Sequence, residues 1–182
     1  MNLPENYEID ALIPEYTDKG DCTHIYLRDG RDFLLPITQR SVLRNIAIRS
    51  HCDMTSLRAE VAAHTNHYLN NPMPVDEELV LCPVKVREPR INGDPGTGYI
   101  NVAEGVTLAP GDEVILVTPG GHKIPTLWSR LTIQRHLQCA VTVIHELRDY
   151  QDEKLIRRLA KIYNSAKDVP HLQKFGTSFA EL

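Results

Sequence analysis

The sequence predicts a mixed α+β fold, built from antiparallel β-hairpins that are each followed by helices. Three observations carry that reading. Asp29-Gly30 separates Ile25-Tyr26-Leu27 from Phe33-Leu34-Leu35; Asp-Gly between apolar runs marks a hairpin because its turn requires positive φ. Pro119-Gly120-Gly121 separates Glu113–Thr118 from His122–Ile124 in the same way. After each hairpin comes a proline, Pro36 or Pro125, and then apolar residues at helical spacing.

In chain order, Tyr7–Ile13 reads as a short strand and Thr17–Asp21 as a turn. Pro36 ends the first hairpin, and Thr38 is a good N-cap for a helix running to about Ser50. Val42, Leu43, Ile46 and Ala47 form its apolar stripe, with Arg40 and Arg44 one turn apart on another face. A second helix, about Met54 to Tyr68, buries Leu57, Val61 and Tyr68. Pro72 and Pro74 break whatever precedes them. Leu79–Val86 is a strand whose Pro83 suits an edge or a bulge, because proline has no N–H for a ladder. Arg87–Gly98 is a loop and Tyr99–Val102 the returning strand. Gly105–Gly111 is a turn region. A helix from about Thr126 to Leu147 should turn Leu131, Leu137, Val141 and Ile144 inward. A last helix, capped near Asp152 and ending about Ser165, should bury Leu155, Ile156, Leu159 and Ile162 before Pro170 and a loose end.

Ile25–Ala47 and Val114–Gln138 share the order strand, glycine turn, strand, proline, arginine-bearing helix. The 182 residues therefore form either a single compact domain or two related halves. The halves would be about 7–69 and 103–168, joined through a central segment 70–102.

Hydrophobic content of 42% and charged content of 24% are ordinary for a globular protein. No apolar run approaches the roughly 20 residues of a membrane span. The opening residues lack a basic region followed by an apolar one, so no secretory signal is expected. Four scattered cysteines without a CxxC then read as reduced thiols in a cytoplasm. Net charge is −4, and residues 1–23 alone balance to −5, so the rest of the chain sums to +1. His24–Ser50 holds five arginines against two aspartates, and Gly120–Leu137 holds three bases and no acid.

Catalytic and metal chemistry find little support. His64 and His67 have helical spacing, but nothing nearby completes a zinc set. His51-Cys52-Asp53 holds a nucleophile, a base and an acid, but consecutive side chains point apart. GDPGTG, Gly93–Gly98, lacks the Lys-Ser/Thr of a P-loop and precedes a strand. The expectation is a protein that is no enzyme and needs no cofactor. The recurrent cations are the better lead: Arg40, Arg44, Arg49, Lys85, Arg87, Arg90, Lys123, Arg130 and Arg135. Such groups suit phosphate neutralisation or entry into a narrow A-tract minor groove. An interaction module binding another protein through a sheet edge is the alternative.

Four stretches, YEIDALIPEYTDKG, SVLRNIAIRSHCDMTSLRAEVAAHT, NNPMPVDEELVLCPVKVREPRINGDPGTGYINV and EVILVTPGGHKIPTLWSRLTIQRHL, carry a resemblance by order and spacing. Together they resemble the competence transcription factor family (ComK-type), over most of residues 7–147. The chain departs at LCPVKVREP, where relatives often carry an aromatic beside the proline, and it lacks a cysteine–aromatic pair at GTGYINV. The resemblance implies an activator of DNA-uptake genes. It would bind AT-rich double-stranded DNA from the minor groove as a homo-oligomer and act with RNA polymerase. Its turnover would pass through an adaptor and a protease.

Overall fold

The computed structural model describes residues 3–65 and 70–167. The fold is α+β, with antiparallel pairing throughout both sheets. A short 3-10 turn, Asn6–Glu8, leads into β1 (Ile9–Thr17), β2 (Gly20–Leu27) and β3 (Asp32–Leu35), a meander followed by α1 (Gln39–Arg49) and α2 (Met54–Thr65). The central segment supplies β4 (Met73–Pro74), β5 (Val80–Lys85) and β6 (Thr97–Asn101). These complete one six-stranded sheet, ordered β3-β2-β1-β6-β5-β4. A second meander, β7 (Thr107–Leu108), β8 (Ile115–Val117) and β9 (Lys123–Pro125), forms its own sheet and precedes α3 (Arg130–Lys167).

By compactness the chain divides after Ile144. Within residues 3–144 the large sheet is covered on both faces. Ile9, Leu12, Ile25 and Leu81 pack with Val42 and Ile46 of α1. Ala11, Val84 and Ile100 pack with Leu116, Ile124 and Ile133 of the second meander and α3. This explains why β5 is buried along almost its whole length, since both of its faces are covered. Pro83 lies beyond Leu81, where β4 stops pairing, so its missing N–H costs the ladder nothing. Buried Asn101 uses all its hydrogen-bonding capacity toward backbone: it donates to Ile9 and Glu78 oxygens and accepts from the Val80 and Ala103 N–H groups.

Thr38 caps α1, accepting from Ser41 N at 3.4 Å. Asp53 caps α2, accepting from Thr55 N, Ser56 N and Ser56 Oγ. The expected start of α3 near Thr126 is corrected by Ser129, whose hydroxyl accepts from Thr132 N and whose carbonyl accepts from Ile133 N. The break expected near Asp152 is absent: α3 is continuous, and Arg130–Lys167 contains neither glycine nor proline. The phase of the helix also differs from expectation. Ile133, Leu137, Ala140 and Ile144 face the core, while Leu131 and Val141, expected inward, are exposed. Apolar residues surround this part of the helix, so its pattern alone does not choose a face. Ile156 and Leu159 are likewise exposed rather than buried. His67, Tyr68 and Pro170 lie outside the described residues, as do the side chains of His64, Leu155 and Ile162.

Candidate functional site

The nine cations singled out by sequence divide into three kinds of environment. Arg49, Arg87 and Arg130 are used internally. Arg49 donates to the Leu3 and Pro4 carbonyls and to Asn6 Oδ1, tying the first residues to the end of α1. Arg87 pairs with Asp21 and donates to Pro95 O at 2.8 Å, and its guanidinium carbon lies 3.8 Å from the centre of the Tyr16 ring. Arg130 donates to the Ala109 and Gly111 carbonyls, holding the loop before β8 against the start of α3. Lys85 is paired with Glu88.

Arg40, Arg44, Lys123 and Arg135 are exposed. Their side chains make no hydrogen bond or ion pair among the described residues. Arg40 and Arg44 stand one turn apart beside exposed Ser41 and Asn45, and α1 contains no acid at all. Residues 130–145 of α3 are also free of acid. A helix face of this kind presents positive charge that no carboxylate of its own segment offsets. Arg90 is exposed too, with its guanidinium carbon 4.7 Å from the Tyr16 ring centre and no ion pair among the described residues.

The acids at the start of the chain are partly consumed inside the fold. Asp21 pairs with Arg87, and Glu15 and Asp32 flank the two ring nitrogens of His24 at 2.8 and 2.6 Å. His24 stacks on Tyr26, whose edge meets His122. Burial, then the charges of Asp32 and Glu15, push the Tyr26 phenol above its ordinary range.

Asp10 was invisible as a structural centre in the sequence. A β-bulge between Ile9 and Ala11 rotates it off the α1 side of the sheet. Its carboxylate is fully buried and accepts from Gly120 N at 2.7 Å, while Arg28 Nε lies 3.7 Å from its other oxygen. His122 Nε2 bonds Leu27 O beside it at 2.8 Å. The β8–β9 turn is thereby latched onto the β2–β3 turn, which fixes where Lys123 stands.

Burial raises the Cys52 thiol above its ordinary value, which disfavours thiolate. Hydrogen bonds from Ser56 and Thr55 hold the Asp53 carboxyl below its usual range. In the GDPGTG loop, a Cβ on Gly96 would sit 2.9 Å from Arg87 O and one on Gly98 2.7 Å from Ile13 Cδ1. Both glycines serve close approach of chain segments. Among the described residues, no three His, Cys, Asp or Glu side chains gather as a metal site, and no helix is long and apolar enough to cross a membrane. Comparison with protein-family models, curated proteins and solved structures returns no match.

Proposed function

We propose that this chain is a DNA-binding transcription regulator, without catalytic activity, that engages AT-rich duplex through the arginine face of α1. One observation carries the reading: Arg40 and Arg44 are exposed, one turn apart and unpaired among the described residues, on a helix that contains no acid. Lys123 and Arg135, exposed and equally unpaired among the described residues, add to the cationic surface. Each phosphate neutralised releases counterion, so affinity falls steeply with salt. In A-tracts the narrow minor groove deepens the negative potential and attracts arginine. The resemblance to competence transcription factors supports the same class. With it come activation of DNA-uptake genes in the cytoplasm, self-association, RNA polymerase as a partner and turnover through an adaptor.

The test is fluorescence anisotropy of a labelled AT-rich duplex across a salt series. Replacing Arg40 and Arg44 together with alanine should weaken binding and lower the slope of log affinity against log salt by about two units. An unchanged slope would remove α1 from the interface.

One observation favours a second reading, a protein-interaction module. Strand β3 is an edge of the large sheet and carries half-exposed Leu34, so a partner strand has a place to pair.

A further inference from the structure

The loop between β5 and β6 is tied down by hydrogen bonds near its tip and leaves one apolar side chain exposed. Its base is closed by Val86 N and Arg87 N donating to Gly96 O. Its flank is fastened to the β1–β2 hairpin through Tyr16. The Tyr16 hydroxyl donates to Asp94 Oδ2 at 2.8 Å and accepts from Arg90 N at 2.9 Å. The Arg87 and Arg90 guanidinium groups both lie over its ring. The tip itself is a tight turn: Asp94 N donates to Ile91 O at 3.2 Å, and Gly93 takes the required positive φ of 98°. Ile91 at this tip is 67% exposed.

A single exposed isoleucine needs no explanation by itself. Ile91 stands at the turn of a loop tied to Tyr16 by two hydrogen bonds, between Arg90, which has no ion pair among the described residues, and exposed Asn92. One side chain is too small an apolar area for a protein interface or for anchoring to a bilayer. It is the right size to enter between two base pairs. Proteins that bind the minor groove use such apolar wedges to unstack one step and kink the duplex, with arginine and asparagine beside them on the groove acceptors.

We infer that Ile91 is a wedge that enters an AT-rich base step from the minor groove, with Arg90 and Asn92 flanking it. This rests on the duplex-binding reading above and adds a kink that α1 alone would not produce. Flexible pyrimidine–purine steps are its preferred targets, because they unstack at least cost.

The experiment uses the full chain and an AT-rich duplex carrying 2-aminopurine at a TA step, with donor and acceptor dyes at its ends. Saturating wild-type protein should raise 2-aminopurine fluorescence and bring the dyes closer. Ile91→Ala should lose most of both signals at saturation and weaken binding roughly tenfold. Ile91→Phe should retain them. Arg40→Ala/Arg44→Ala should bind more weakly yet produce the same signals once saturated. Wild-type signals from Ile91→Ala at saturation would overturn the wedge while leaving duplex binding intact, as would a wild type that binds without either signal. Failure of the wild type to bind duplex at all would overturn the duplex reading and the wedge with it.

Discussion

Gly120 is the point at which one methyl group should do the most damage. A Cβ there would sit 2.5 Å from Leu27 O, 2.7 Å from Asp10 Oδ2 and 3.0 Å from Arg28 O. Two of these three atoms are backbone oxygens, so no side-chain rotation relieves the clash. Moving the β8–β9 turn away would break the 2.7 Å bond from Gly120 N to Asp10, a fully buried carboxylate whose other oxygen has no hydrogen bond. A hydrogen bond to a charged group is worth about 1.5–3 kcal/mol, and overpacking costs about 1–3 kcal/mol. Gly120→Ala should therefore destabilise by about 2.5–6 kcal/mol in equilibrium urea unfolding. Gly121→Ala is the control. Its Cβ meets open space, and the cost is confined to the backbone at φ +83°, about 1–2 kcal/mol. In an Asp10→Ala background the Gly120→Ala penalty should shrink, since both the lost bond and one clash vanish. Equal effects of Gly120→Ala and Gly121→Ala would refute the latch.

Other substitutions separate structural from binding roles. Arg49→Ala should cost about 1–3 kcal/mol in urea unfolding, because three acceptors in residues 3–6 lose their donor, while the salt slope of duplex binding stays unchanged. Ile133→Ala should cost about 2–5 kcal/mol by leaving a cavity between α3 and the sheets, whereas Leu131→Ala, at an exposed site, should change stability by about 0.5 kcal/mol or less. Absorbance titration at 295 nm should show a tyrosine ionising later than the others, and Tyr26→Phe should remove that phase. The sign follows from the raised folded value: the stability tied to neutral Tyr26 is complete below the ordinary phenol range and is lost as pH rises through the folded value.

Local signals in the sequence were strong where chemistry is local. Asp29-Gly30, Thr38 and Pro36 dictate a turn, a cap and a strand end through their own backbone preferences, and each does so in the fold. The phase of α3 was not legible, because Leu131, Ile133, Leu137, Val141 and Ile144 offer more than one apolar stripe and only the sheet chooses between them. The cations of the candidate site were legible as residues but not as environments. What distinguishes Arg40 from Arg87 is distant in sequence: Asp21, Tyr16 and Pro95 surround the second and nothing acidic lies on the helix of the first. Asp10 gave no signal at all, since its burial depends on a bulge and on a glycine 110 residues away.

Electrostatic recognition of AT-rich duplex by this fold, as proposed, can be measured through wild-type affinity for AT-rich and GC-rich duplexes of equal length across one salt series. Log affinity should fall linearly with log salt on both duplexes, with tighter binding to the AT-rich one by roughly tenfold at physiological salt. Equal affinity for the two duplexes, or an affinity that salt does not change, would contradict it.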